Sequence, residues 1–304
     1  MKDKVIIISG PTGCGKSSLG IKLASKLKTE IISCDSMQIY RGMDIGTAKV
    51  SLEEQKHITH HMIDIIDPNA NYSVHDFQKA CLNHISDIHE KGKIPILVGG
   101  TGLYVNSIFY KYDFSDVKPN YTFREKLEDL YKENPQLLLD KLLSIDKVKY
   151  SNLTINDKKK IIRALEVYEF SGKTISVDSQ YNDDFDFYLY VLTDDRQKLY
   201  DNINVRVDNM LAKGLINEVN TLLNKGLNKD CQSMKAIGYR EVIPYIEGEI
   251  DYNTMVENLK QDSRRYAKRQ LTWFRKNKRA KWLDKSIYTN DQLLNMIIED
   301  INGL

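Results

Sequence analysis

The chain has 304 residues, 41% apolar and 28% charged, and its 44 Lys+Arg against 42 Asp+Glu leave a formal charge of +2. That composition excludes a chain disordered throughout and supplies enough apolar residues for a sizeable core. No apolar run approaches the roughly 18 residues of a membrane span, and a charge so close to zero argues, taken alone, against a nucleic-acid partner.

The first apolar run, VIIIS at residues 5–9, is too short for a signal-peptide core, so a cytoplasmic chain is expected. It reads as a strand buried on both faces of a parallel sheet. A Gly-rich turn and an apolar-periodic helix over residues 16–27 follow, then a second strand in TEIISCDS, residues 29–36. Residues 77–93 have helical spacing at Phe77, Ala80, Cys81, His84, Ile85 and Ile88, with Gly92 as a stop. KIPILVGG, residues 93–100, is a third buried strand, which completes a βαβ rhythm. Residues 113–187 lose the apolar strands and carry mixed-charge helical patterns such as FREKLEDLYKE, the mark of a helical insertion. FYLYVLT, residues 187–193, returns to the sheet, and long helices broken at Gly226, Gly238 and Gly248 complete the chain. The domain division is therefore 1–114 and 188–304 for the core and 115–187 for the insertion. Cys14, Cys34, Cys81 and Cys231 form no CxxC pair, which speaks against a zinc knuckle or disulfide framework. His57, His60 and His61 form H-x-x-H-H, read as turn and helix surface because no second cluster completes a ligand set.

GPTGCGKS, residues 10–17, fits G-x-x-x-x-G-K-[ST] between a strand and a helix, the context a phosphate loop requires. Loop amides and the helix N-terminus would cradle phosphate oxygens, Lys16 would reach the terminal phosphate, and Ser17 would ligate Mg²⁺. The third strand, however, ends in Gly99-Gly100 where phosphotransferases usually place a magnesium-binding acid. The second ends in Asp35, and strand C-termini face the ligand crevice, so Asp35 is a candidate base or metal partner.

Residues 260–281, KQDSRRYAKRQLTWFRKNKRAK, contain ten basic residues and one acid, leaving 34 basic and 41 acidic residues elsewhere. Net charge is thus an average over two opposed surfaces, and its distribution reverses the inference drawn from the total. On a helix, Arg264, Lys268, Arg275 and Arg279 share a sector of roughly 60°, with Tyr266, Trp273 and Phe274 interleaved. A basic stripe with aromatic neighbours suits phosphodiesters and unpaired bases.

These motifs, with residues 34–49 (CDSMQIYRGMDIGTAK), 60–68 (HHMIDIIDP), 96–104 (ILVGGTGLY), 163–174 (RALEVYEFSGKT), 234–241 (MKAIGYRE) and 268–275 (KRQLTWFR), resemble the tRNA dimethylallyltransferase (tRNA isopentenyltransferase) family in order over nearly the whole chain. The chain has no zinc-finger extension and so looks bacterial in type. The resemblance implies an α/β fold: a P-loop NTPase-like parallel sheet core, a mostly helical insertion domain and a helical C-terminal part. It implies transfer of a dimethylallyl group from dimethylallyl diphosphate to the N6 amine of the adenosine 3′ of a tRNA anticodon, with Mg²⁺; a monomer is expected only because nothing in the sequence obliges more.

Residue by residue, the resemblance makes Gly10, Pro11, Thr12, Gly13, Cys14, Gly15, Lys16 and Ser17 the diphosphate loop, with Asp35 as base and Thr12, Lys16 and Arg206 as catalytic partners. It assigns tRNA contacts to Asp35, Ser36, Met37, Gln38, Thr101 and Arg124. The same role falls to Lys159, Lys160, Ile161, Ile162 and Arg163, to Lys235, Gly238, Tyr239 and Arg240, and to Lys268, Arg269, Gln270 and Arg275. Where relatives carry D-x-Q-R before Arg163, this chain substitutes Lys158, Lys159 and Lys160 and keeps positive charge. A small-molecule P-loop kinase would leave the basic segment unassigned, and a non-catalytic RNA-binding module would leave Asp35 idle beside a complete loop.

Overall fold

A computed structural model describes residues 2–112, 117–174 and 180–303. Two compact units result, one formed by Met1–Phe109 with Asn182–Leu304 and the other by Tyr110–Tyr181. In the first unit the chain runs β1 (Lys4–Ser9), α1 (Lys16–Leu27), β2 (Ile31–Ser33), α2 (Leu52–His57), β3 (His60–His61), α3 (Val74–Glu90), β4 (Ile96–Val98) and α4 (Gly102–Phe109). The second unit holds α5 (Tyr121–Glu133), α6 (Pro135–Ile145), α7 (Lys147–Ser151) and α8 (Lys158–Ser171). The chain then returns through β5 (Asp186–Thr193), α9 (Arg196–Ala212), α10 (Leu215–Asn224), α11 (Ile243–Ile246), α12 (Tyr252–Phe274), β6 (Lys281–Asp284) and α13 (Asn290–Asn302).

The six strands form one sheet in the order β3-β2-β4-β1-β5-β6, and every pairing is parallel. Val5, Ile6, Ile7 and Ile8 are wholly buried, as a central parallel strand covered by helices on both faces requires. Register Ile7↔Leu97 and Ile7↔Leu189 brings the C-terminal ends of β4 and β5 level with that of β1. The loops after β1, β2 and β4 therefore open at one edge of the sheet, where open α/β folds bind ligands.

The insertion departs from the boundaries expected of it. The expected 114/115 boundary lies outside the described residues, and residues 182–187 belong to the sheet unit. Asn182 donates from Nδ2 to the Ile108 carbonyl at 3.1 Å, and β5 already begins at Asp186. Charge patterning placed the return too late because the strand opens on an exposed Asp186.

Two short edge strands correct the sequence reading. His60 and His61 pair with Ile31 and Ile32 as β3, not as turn or helix surface. His61 is hydrogen-bonded to Glu30 at 2.8 Å. The basic segment is not one helix either. Helix α12 stops at Phe274, the Asn277 side chain accepts from the Arg279 amide at 2.9 Å, and the chain turns into β6 beside β5. Arg279 is thus off the helical stripe, and Phe274, 1% exposed, is core rather than a base-stacking ring. Two-residue and four-residue edge strands leave too little periodicity to be read from sequence.

Candidate active site

The phosphate loop forms because Gly15 caps α1 with φ 85°, a left-handed conformation that costs a residue with a Cβ. Cys14 is fully buried and Lys16 donates from Nζ to the Pro11 carbonyl at 2.7 Å. Behind the loop, Lys285, just after β6, donates to the Cys14 carbonyl at 3.1 Å. Gly99-Gly100 at the end of β4 has a steric cause. A Cβ on Gly99 would strike the Cys34 backbone, and one on Gly100 would strike the Gln270 side chain. Backbone packing excludes an acid at Gly99, and one at Gly100 would displace the Gln270 amide.

After β2, Asp35 Oδ1 accepts from the Met37 amide at 2.9 Å, so one carboxylate oxygen shapes its own turn. Thr101 holds that turn: its Oγ1 accepts from the Ser36 amide at 3.0 Å. Ser33 Oγ donates to Gln38 Oε1 at 3.1 Å, which fixes the Gln38 amide. The loop carrying Gly46, Thr47 and Ala48 is pinned from α10, where Glu218 accepts from the Asp44, Ile45 and Gly46 amides at 2.9, 2.8 and 3.1 Å.

These elements enclose a cavity of about 330 Å³. Its polar end is lined by Thr12, Lys16, Ser17, Asp35 and Arg206, and it continues past Ser36, Met37 and Gln38. Ile203, Val207, Met210, Leu259 and Ile237 provide an apolar wall, and Lys235, Gly238, Arg240, Tyr266, Arg269 and Gln270 are among the other lining residues. The α9 segment NINVRVDNM explains how one helix serves both ends, since Ile203, Arg206, Val207 and Met210 recur at three- and four-residue spacing. That spacing was visible in sequence. The cavity it would face was not.

Five cations, Lys16, Arg206, Lys235, Arg240 and Arg269, line the cavity against one carboxylate, Asp35, with Arg240 neutralised from outside the lining by Glu241 and Asp262. Burial lowers the pKa of the Lys16 amine, with Arg206 adding to the shift and Cys14 and Asp35 opposing it. Burial likewise lowers Arg206, against the opposing influence of Asp35 and Cys14. A site so short of negative charge is suited to a multiply charged anion, whose arrival would relieve both shifts.

The sequence-derived contacts divide on inspection. Arg269 and Lys268 on α12 and Arg275 at its end are exposed, and so are Lys235 and Lys159. Lys160 is also exposed and pairs with Asp157 at 2.6 Å. Arg240 reaches the cavity but is paired with Glu241 at 2.5 Å and Asp262 at 2.7 Å. Tyr239 cannot serve as a contact: it is 0% exposed and its hydroxyl donates to Glu218 at 2.6 Å. Ile161 and Ile162 are core residues of the helical unit, facing Leu138, Leu139 and Leu142 in one cluster. Arg124 and Arg163 both grip the buried Glu166, at 2.7 and 2.5 Å, so part of each guanidinium is committed inside that unit. Gln270 is 6% exposed and turned toward the phosphate loop.

Among the described residues no group of three or more His, Cys, Asp or Glu could hold a metal ion, and no helix is long and apolar enough to cross a membrane.

The IPP transferase family matches residues 38–277. A tRNA dimethylallyltransferase of Carboxydothermus hydrogenoformans is 48% identical over 99% of this chain and 98% of its own length. Among solved structures, the full-length tRNA isopentenylpyrophosphate transferase of Bacillus halodurans has a TM-score of 0.75 at 42% identity, covering 99% of this chain and 96% of that one. A eukaryotic dimethylallyltransferase, captured acting on tRNA, has a TM-score of 0.85 at 30% identity, covering 99% and 80%.

Proposed function

The chain belongs to the IPP transferase family, and from that premise we propose that it transfers a dimethylallyl group from dimethylallyl diphosphate to the N6 amine of the adenosine 3′ of a tRNA anticodon. The observation that carries this reading is one cavity that joins two half-buried cations, a single carboxylate and an apolar wall. The diphosphate lies against the phosphate loop, Lys16 and Arg206, and the five-carbon chain along Val207, Met210 and Leu259. The adenosine leaves the anticodon stack to enter beside Asp35, Ser36, Met37 and Gln38. The N6 nitrogen attacks the allylic carbon, the C–O bond to diphosphate breaks, and Asp35 takes the N6 proton. Lys16, Arg206 and the loop amides stabilise the negative charge that grows on the departing oxygen.

Magnesium fits this donor set. Ser17 offers a hard hydroxyl oxygen at the loop's helix end, and a cation held there would draw its remaining ligands from water and diphosphate. When bound, it supplies further counter-charge to the leaving group. The exposed Lys268, Arg269 and Arg275 and, on the helical unit, Lys159, Lys160 and the partly exposed guanidiniums of Arg124 and Arg163 attract the phosphates of the tRNA anticodon arm. A tRNA substrate supports the cytoplasm as its place of work.

The test is to incubate the protein with dimethylallyl diphosphate, Mg²⁺ and unmodified tRNA bearing adenosine 3′ of the anticodon, then to digest and weigh the nucleosides. Prenylated adenosine is expected. Its absence with folded protein, or ATP consumption without tRNA, overturns the reading.

A further inference from the structure

Gln270 lies in the most basic stretch of the chain, between Arg269 and Leu271, and its neighbours Lys268 and Arg269 are exposed. Its own side chain points the other way. Oε1 accepts from the Thr12 backbone amide at 2.8 Å, and Nε2 donates to the Gly100 carbonyl at 2.9 Å. One turn earlier, Tyr266 lines the same cavity. One amide therefore ties the phosphate loop after β1 to the end of β4, and both to α12.

The chemistry of the position is narrow. The two backbone groups need an acceptor and a donor side by side, and a carboxamide supplies both. Lysine and arginine have no acceptor, and an ionised glutamate has no donor. With a side chain that does neither, a part-buried N–H and a buried C=O lose their partner, and for the buried carbonyl that costs more than the net worth of the bond. Gly100 is part of the same fit, because any Cβ there would occupy the place of the Gln270 amide.

We propose that Gln270 is a positioning residue for the diphosphate, acting through Thr12 and the phosphate loop, and that it contributes little to tRNA affinity. Helix α12 then has two functions on two faces: outward cations for the polynucleotide and an inward amide for the donor loop. The proposal rests on the transfer reading only for its kinetic arm, since binding of inorganic pyrophosphate reports on the loop without any transfer.

The experiment compares Gln270→Ala and Gln270→Glu with the unaltered protein by calorimetric titration of magnesium pyrophosphate and, separately, of tRNA. Pyrophosphate affinity should fall about tenfold or more in both variants, and more in Gln270→Glu, while tRNA affinity stays within about threefold. The Gln270→Glu defect should shrink as pH falls, relative to the unaltered protein, because a protonated carboxyl donates and accepts as the amide does. A merely structural residue would lose and recover tRNA affinity in parallel. In the transfer assay the KM for dimethylallyl diphosphate should rise with the tRNA KM unchanged. Unaltered pyrophosphate binding in a folded variant, a pH-independent Gln270→Glu defect, or a tRNA loss as large as that of Lys268→Ala overturns the proposal. If the unaltered protein binds pyrophosphate yet prenylates nothing, the transfer reading fails and this one stands.

Discussion

Two clusters of buried charge, one in each unit, are built on opposite principles. In the helical unit Glu166 is fully buried and saturated. Arg124 reaches it through Nε at 2.9 Å and a terminal nitrogen at 2.7 Å, Arg163 at 2.5 Å, and the Asn120 amide at 2.7 Å. Burial alone would raise the pKa of Glu166, but the hydrogen bonds from Arg124, Arg163 and Asn120 outweigh it and hold the carboxyl below its ordinary value. In the sheet unit Lys16 and Arg206 share a cavity with Asp35, and burial lowers both cations. Both clusters set two cations against one carboxylate, so charge count does not separate them. The first is architecture because its members satisfy one another by hydrogen bonds, whereas the cations of the second line a cavity, are destabilised there by burial and are stabilised by the anion they bind.

That contrast can be broken by exchanging losses. Lys16→Met should lower kcat/KM for the diphosphate donor by about 10³-fold while leaving the melting temperature unchanged or higher, because a desolvated charge is removed. Glu166→Ala should do the reverse, costing about 3 kcal/mol of stability in calorimetric melting with donor KM unaffected. The cost sits at the low end for a broken buried pair because Arg124 and Arg163 are each about a third exposed and regain water. If Lys16→Met melts earlier and Glu166→Ala melts like the parent, the distinction between the clusters is wrong.

Asp35→Ala should reduce single-turnover rates about 10²-fold and spare tRNA affinity to within a few fold. Equal losses in both would make Asp35 only the turn-forming residue that its bond to the Met37 amide also makes it. A pH profile sharpens the cavity side. Lys16 loses its proton below the ordinary lysine value, so kcat/KM for the donor should fall as pH rises through that lowered pKa, before an unperturbed lysine would titrate. Lys16→Arg should keep its donor affinity through the same range, since a guanidinium stays protonated. The smallest effect expected is on the outward face. Lys268→Ala and Arg275→Ala should each weaken tRNA binding and flatten its log–log salt dependence by about one unit for each phosphate left without its cation. An unchanged slope would make these residues solvated surface.

Local features were legible wherever one segment carries its own explanation. GPTGCGKS could be placed between a strand and a helix because its glycines, lysine and serine act within eight residues, and the all-apolar VIII run could only be an interior strand. Asp35 was legible as a strand end. The apolar donor wall was half-legible through the spacing of Ile203, Val207 and Met210, but what it faced depended on where α12 and the loop of Gly46 and Ala48 settle. The basic segment was misread in part because charge composition does not say where a helix ends. Gln270, Phe274 and Tyr239 stand among polar or charged neighbours and turn inward all the same.

By itself the sequence determined the phosphate loop, the parallel sheet, the separate helical insertion and the uneven distribution of charge, all of which follow from short-range spacing and composition. Only the tertiary structure decided which charges are spoken for. It joined Arg124 and Arg163 to Glu166 by direct hydrogen bonds, left Lys16 and Arg206 lining a cavity, and turned Gln270 from the tRNA face to the phosphate loop. The physical reason is that a charge or an amide acquires its role from partners tens to hundreds of residues away, and burial sets what each of those partnerships is worth.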